Sequence, residues 1–339
     1  MNSFGRIFRV GIYGESHGKG VSVSIDGCPP GIPFSEEDMG MDLLRRKSGK
    51  PGTTPRVEGD LPEILTGITE GKTTGAPIII WFKNKDARSG DYSSVKDFPR
   101  PGHADFTSGV KYFGHSDHRG GGHFSGRLTL GLVAAGVVAK KIMDPVTISA
   151  TMLEAGGQKD IEKAIEQAKI NGDSIGALIE CKANNLPAGL GEPFFDSFES
   201  HLAHLVFSIP AVKGIEFGVG FEAAKLTGSE MNDAIINAYG KTATNQAGGI
   251  NGGISNGNEL VFRVAVKPAS SISKAQKSYH FGTGQMESMQ ITGRHDTCIG
   301  LRVPPVLEAV TAISLADMYL LRLGQIKFDE NQRNMMNTE

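Results

Sequence analysis

Apolar residues recur along this chain with two periods, and each period marks a kind of element. Residues 8–13 and 21–25 alternate as half-buried strands do, with the glycine-rich run 14–20 between them. Ser35 followed by Glu36, Glu37 and Asp38 reads as an N-cap with an acidic first turn, and Phe34 and Met39 stand at staple spacing. That helix is expected to reach about Arg46, where Arg45 and Arg46 complement its C-terminal dipole end. Residues 75–83 read as a buried strand. Residues 124–143 form the strongest helical pattern, with Gly131, Ala134, Ala135, Gly136 and Ala139 small enough for close packing and Asp144-Pro145 as its stop. An amphipathic helix is predicted over 160–169, ending at Asn171-Gly172, and another near 197–208 before Pro210. Strand-like runs recur at 175–182, 214–221 and 259–266. A last helix is predicted over 305–323, after which the chain turns polar and is expected to form a loose tail. With no internal repeat and no low-complexity linker, the pattern describes an α/β or α+β chain, one domain over 1–325 and a polar tail over 326–339.

Composition narrows the setting. A formal net charge of −2 with 21% charged residues points to neither a nucleic-acid nor a membrane surface. Positive charge is local, around Arg45, Arg46, Lys47, Lys50 and Arg56, and again within 119–127. The three cysteines, Cys28, Cys181 and Cys298, offer neither a disulfide framework nor a zinc pattern, so a reducing compartment is expected. No apolar run has transmembrane length and the N-terminus lacks an apolar leader core, so the expected location is the cytoplasm.

The densest chemical signal is Arg119-Gly-Gly-Gly-His-Phe-Ser-Gly-Arg127 at the head of the apolar helix. Consecutive glycines let backbone N–H groups face a ligand, a helix start adds donors, and flanking arginines fork onto phosphate or carboxylate oxygens. Together they predict a site for a small, multiply anionic molecule. Gly14-Glu-Ser-His-Gly-Lys-Gly20 fails the P-loop test, because Tyr13 and Gly20 stand where the first glycine and the magnesium-binding hydroxyl belong. What it offers instead is Ser16 and His17 at a strand end. Four histidines (His103, His115, His118 and His123) crowd into one stretch with Asp105 and Asp117. They admit two readings: His103 as an acid or polar clamp within Arg100-Pro-Gly-His-Ala-Asp105, or a metal set of a phosphohydrolase built on His115-Ser-Asp-His118. The second lacks a preceding histidine partner, and no metal is expected. Further on, the Gly-rich 245–255 run leads to Lys267-Pro-Ala-Ser-Ser271, suited to a second phosphate, and Arg294-His-Asp296 places a cation beside a carboxylate.

Read together, Gly14-Glu-Ser-His-Gly18 with Asp26-Gly-Cys-Pro-Pro30, Arg100–Asp105 with Arg119–Gly122 and Ser125-Gly-Arg127, and Gly293-Arg-His-Asp296 with Pro305–Ala309 resemble the chorismate synthase family. Asp91-Tyr-Ser93, Ile209–Gly214, the 245–255 run and Lys267–Ser271 support the resemblance, which spans nearly the whole chain. It implies an α+β fold of the β-α-β sandwich type, a homotetramer, and a lyase that forms chorismate from 5-enolpyruvylshikimate 3-phosphate by 1,4-elimination of phosphate and a ring proton. It also implies reduced FMN as cofactor, without net redox change, and NADPH as the flavin reductant in some members. By position, His17 and His103 match the histidines that protonate the departing phosphate and the reduced flavin. Asp296 matches the carboxylate that helps deprotonation through flavin N5, assisted by Ser16 and Ser125. Flavin contacts fall on His123, Phe124, Ser125, Ala211, Gly252, Lys267, Pro268, Ala269, Ser270, Ser271 and Arg294. Arg46 matches a position assigned to NADP or substrate phosphate, and Arg45, Arg119 and Arg127 are expected to hold substrate. One departure stands out: the family's usual Arg-Ser-Ser-Ala-Arg-Glu-Thr is His123-Phe-Ser-Gly-Arg-Leu-Thr129 here. It reads as a subgroup variation, and the alternative it raises is a flavin-binding homologue without activity.

Overall fold

The computed structural model describes residues 2–54, 59–85, 97–291 and 295–336, without the side chains of 330–336. In chain order, strands β1 (Ser3–Phe4), β2 (Arg9–Gly14) and β3 (Gly20–Asp26) are followed by helix α1 (Gly40–Arg46), reached through a 3-10 turn over Glu36–Met39. β4 (Pro62–Thr66), the short hairpin β5 (Ile68–Thr69) and β6 (Lys72–Thr73), and β7 (Ile78–Lys83) come next, then α2 (Asp105–Lys111) and α3 (Thr129–Ile142). The second half holds β8 (Thr147–Ala155), α4 (Ile161–Ile170), β9 (Ala177–Asn184), α5 (Phe198–Val206), β10 (Val212–Phe217) and α6 (Gly228–Met231). It closes with β11 (Ile250–Asn251), β12 (Ile254–Ser255), β13 (Leu260–Val266), the hairpin β14 (Gln276–His280) and β15 (Gln285–Met289), and α7 (Pro304–Met336).

Two antiparallel sheets, ordered β1-β2-β3-β7-β4 and β10-β13-β9-β8, enclose α3 and α7. α3 lies against β2 and β3, α7 against β8 and β9, and the two helices pack on each other. Every residue from Thr129 to Ala139 is buried, as is every residue from Val306 to Met318. A helix apolar on all sides belongs inside a protein, and these two are the middle layer. The small residues make the layer thin: a Cβ on Gly136 would stand 2.3 Å from that of Ala309. One continuous core joins both sheets through Val10, Ile80, Val133, Leu307, Ile313 and Phe262, each such side chain contributing about 1.5–3 kcal/mol on burial. The β-α-β sandwich is thus the observed architecture.

The predicted elements recur with shifted ends. The run 214–221 stops as a strand at Phe217 because Gly218 and Gly220 turn the chain with φ of 56° and 60°. The helical pattern from 124 is entered through the triglycine turn and a 3-10 turn over Gly126–Leu128 before α3 begins. The last helix runs unbroken to Met336, so the stretch expected to be a loose tail is helical that far. Polarity there ends burial without ending the helix, since beyond Gly324 the chain carries good helix formers and no proline.

Candidate active site

The β2–β3 hairpin pairs Gly14 with Val21, which projects the 14–20 run from the end of the first sheet. There it meets the triglycine turn ahead of α3. Gly120, Gly121 and Gly122 all have positive φ (59°, 82° and 52°), and at Gly120 and Gly122 the neighbours leave no room for a side chain. A Cβ on Gly120 would stand 2.0 Å from His17 Nδ1 and 2.9 Å from Ser16 Oγ, and one on Gly122 would strike the Asp117 carbonyl. The two loops are stitched by Ser16 N–H to the Gly122 carbonyl (3.1 Å) and by His123 Nδ1 at the Gly14 carbonyl (2.8 Å). Asn84, just past β7, extends its amide nitrogen to the carbonyls of Glu15, Ser16 and Gly18, while its oxygen accepts from Arg127 Nε at 2.6 Å.

Around this junction opens a cleft of about 850 Å³, lined among others by Ser16, His103, His123, Phe124, Ser125, Arg127, Ala211, Lys267–Ser271, Asp296 and Arg302. Arg127 is 8% exposed. Its Nη1 is held by Asp60 (2.8 Å), but its buried Nη2 has no hydrogen-bond partner among the described residues. A buried guanidinium nitrogen without a partner calls for an acceptor, and an anion in the cleft supplies one. Burial and the nearby charge of Lys213 push the Lys267 ammonium below its usual pKa, and Nζ bonds the Gly102 carbonyl and Ser270 Oγ. Asp296, which also lines the cleft, accepts the Thr54 N–H (2.9 Å) and faces Arg302 at 3.5 Å. Arg127, Lys213, Lys267 and Arg302 against Asp60 and Asp296 leave the walls net positive. Two non-glycine residues of the wall, Asp60 (φ 50°) and Ala211 (φ 75°), keep strained backbones of a kind that clusters at functional sites.

Not every predicted residue reaches the cleft. His17 sits behind Gly120, buried, and is absent from the wall that Ser16 joins. Arg119 turns outward, 45% exposed, onto Asp117, so of the two arginines bracketing the loop only Arg127 faces inward. Arg45 grips Glu308 with both terminal nitrogens, away from the cleft. Arg46 is enclosed: it donates to Thr129 Oγ1 and the carbonyls of Gly126 and Arg127, and burial and the charge of Arg302 lower its pKa to about 9. It braces the turn and does not touch the cleft wall. Gly252 lies in the exposed turn between β11 and β12, also off the wall. Arg294 and the Asp91–Ser93 match fall outside the described residues. Conversely, Asp60, Asn84 and Arg302 escaped the sequence reading. Asn84, a polar residue directly after a buried strand, was the one with a visible signal.

The departure at 123 and 124 has a structural role of its own. His123 is spent on the Gly14 carbonyl, Phe124 packs near Tyr112 (6.2 Å between centroids), and Ser125 Oγ accepts the Arg127 N–H. Among the described residues no group of three or more His, Cys, Asp or Glu side chains is placed to hold a metal ion, and His115 is exposed.

Residues 8–320 match the family model described as chorismate synthase. The chain belongs to the chorismate synthase family. It is 60% identical over 322 residues to the chorismate synthase of Chitinophaga pinensis, covering 95% of this chain and 97% of that protein. Against the chorismate synthase of Methanosarcina mazei the identity is 45%, over 96% and 97% of the two chains. A crystal structure of chorismate synthase superposes with a TM-score of 0.73 at 28% identity, covering 95% of this chain and 94% of that one. Membership makes the chain an enzyme, a carbon–oxygen lyase acting on phosphates, of a family that uses reduced FMN. Neither the metal-dependent phosphohydrolase nor the inactive flavin-binding homologue finds support beside it.

Proposed function

We propose that the cleft holds 5-enolpyruvylshikimate 3-phosphate beside reduced FMN and that the chain releases phosphate and a ring proton from the substrate to give chorismate. One observation carries the assignment of residues: Arg127, with a buried nitrogen unpartnered among the described residues, lines the same cleft as His103, Ser125, Lys267 and Asp296. The walls fit the cofactor, offering Phe124, Ile12, Leu132 and Ala211 to a flat ring and Lys267 with Ser270 and Ser271 to a phosphate. Bound there, reduced FMN supplies an electron-rich ring that favours departure of the phosphate and is returned unchanged. Arg127 and Arg302 fix the dianionic leaving group, an electrostatic contribution of several kcal/mol in comparable preorganised sites, roughly 3 or more. His103 provides a proton from its ring and Asp296 a carboxylate oxygen to receive one. Ser16 and Ser125, on the same cleft, assist the deprotonation, and His17 supports Gly120 from behind.

Residues 1–325 act as one domain with 326–339 as a polar extension, and the working form is a cytoplasmic homotetramer without nucleic-acid or membrane partners. Among the described residues no helix is long and apolar enough to cross a membrane. NADPH enters only as a source of electrons for FMN, without a contact from the enclosed Arg46. The test is an anaerobic assay with reduced FMN and the enolpyruvyl substrate, following phosphate and chorismate with and without NADPH. Stoichiometric release of both products is expected; phosphate without chorismate would overturn the reading.

A further inference from the structure

His103 stands in a frame that its role as proton donor does not by itself require. Its Nδ1 lies 2.6 Å from Asp105 Oδ1. Asp105 is buried, with 4% of its side chain exposed, and Arg100 holds it from the other side: Nε to Oδ2 at 2.7 Å, Nη2 to Oδ1 at 2.8 Å, and the Arg100 N–H to Oδ2 at 3.1 Å. Arg100 Nη1 in turn donates to Ser271 Oγ at 3.0 Å, on a loop that also lines the cleft. Burial pushes the Asp105 carboxyl up, but its bonds to Arg100 and His103 outweigh this and hold it well below the usual carboxylate range. It is therefore an acceptor only, and the Nδ1 facing it must carry the hydrogen.

The second contact of Arg100 completes the frame. Its Nη2 is 3.1 Å from Nδ1 and 3.3 Å from Nε2 of His103. Near-equal distances to two atoms on either side of Cε1 place that nitrogen over the ring, not at an in-plane lone pair. Nε2 thus remains the ring atom open toward the cleft, with Gly121 beside it: even a Cβ there would only touch Cε1 and Nε2, at 3.4 and 3.5 Å.

We propose that Asp105, locked by Arg100, is a positioning residue that fixes His103 with its hydrogen on Nδ1, so that Nε2 is the atom that exchanges a proton with the bound molecules. The Nδ1 hydrogen stays on the ring throughout, the Nε2 hydrogen of the cationic ring is the one given up, and solvent restores it between turnovers. This rests on the reading of His103 as a proton donor, but the tautomer can be measured independently of it. Nitrogen NMR of the full chain labelled in histidine, with the His103 signals identified by their loss in His103→Gln, reports which nitrogen is protonated in the neutral ring. The expected spectrum shows a protonated Nδ1 and a bare Nε2, and Asp105→Asn moves the hydrogen toward Nε2. A neutral wild-type ring protonated on Nε2 overturns the proposal, and that spectrum decides the matter even if the variant does not fold. In kinetics, Asp105→Asn should lower kcat about 10-fold or more with KM nearly unchanged, the scale of a misplaced acid–base group. In a His103→Ala background the same substitution should cost no more than about twofold, since the two residues act as a unit. Equal losses in both backgrounds would make Asp105 merely structural. Near-normal activity of His103→Ala alone would instead remove the proton-donor reading while leaving the tautomer result standing.

Discussion

Gly120 shows how a glycine can be demanded by a neighbour and not by its turn alone. Its positive φ would cost an alanine about 1–2 kcal/mol, and the new Cβ would also enter the space of the His17 ring. Gly114 has a similar φ of 79° but open space where a Cβ would go. Gly114→Ala should therefore lose stability with activity kept, whereas Gly120→Ala should displace His17 and Ser16 and lower kcat by about 10-fold or more, the scale of a disturbed acid–base site. Thermal melts and steady-state rates on both variants check the contrast, and equal activities would separate His17 from the reaction. For Arg127→Ala the expected outcome is weaker binding of substrate or flavin; unchanged affinity for both would remove it from the site. The sequence announced Arg119 and Arg127 alike, because a turn with two flanking cations does not show which way each points. Asp117, two positions from Arg119, captures that one locally. The partners of Arg127, Asp60 and Asn84, lie 67 and 43 positions away. Long-range pairing of this kind leaves no local pattern, which is also why Arg45 and Arg46 looked like site residues when Glu308 and the α3 turn take them up.

Elements with one strong period were legible, and those with mixed character were not. α3 and α7 were visible because unbroken apolar helices admit no exposed reading. β8 was missed: its sequence Thr-Ile-Ser-Ala-Thr-Met-Leu-Glu-Ala is a strand because β9 pairs with it along its length. The exposed hairpin β14–β15 likewise owes little to a buried face. What fastens the N-terminal segment to α7 could not be read either. Asp317, fully buried in the helix, accepts the backbone N–H groups of Arg6, Ile7 and Phe8 and bonds His201 Nε2 at 3.1 Å. Burial raises its pKa, but these bonds prevail and hold it below the ordinary value. A carboxylate held low stabilises the fold above its unfolded pKa, and that contribution disappears as pH falls through the folded one. Denaturant melts should therefore show wild-type stability dropping below about pH 4, where unfolded aspartates take up protons. Asp317→Asn should be less stable near neutrality by about 2 kcal/mol, the scale of hydrogen bonds to a buried charged group, with a shallower acid loss. Acid profiles of equal slope would show that Asp317 is not responsible.

Across the molecule, charge and apolar surface are distributed in ways the composition conceals. A net charge of −2 coexists with a cationic cleft, and a continuous core coexists with large apolar side chains left in water. The chain between β10 and β11 shows this most clearly. A turn closed by the Ile235–Thr242 bridge and by Ile236 N–H to the Lys241 carbonyl carries Ile235, Ile236 and Tyr239 at 73%, 60% and 94% exposure, with Phe221 nearby in sequence at 82%. Single exposed apolar residues are ordinary, but several on one ordered turn suit a contact with another protein. The proposed homotetramer supplies such a cover without any other partner. Covering several large side chains removes roughly 1.5–3 kcal/mol of exposed apolar cost for each. A charge at the same place must instead be buried unpaired or break the contact, so Ile236→Asp combined with Tyr239→Asp should dissociate the assembly without unfolding the chain, because neither side chain belongs to the core. Light scattering on the wild type should then give four times the 36.1 kDa of one chain, and on the double variant a smaller multiple with an unchanged circular dichroism spectrum. A variant that stays tetrameric would place the contact elsewhere, with the exposed Phe194 and Phe195 next in line by the same reasoning.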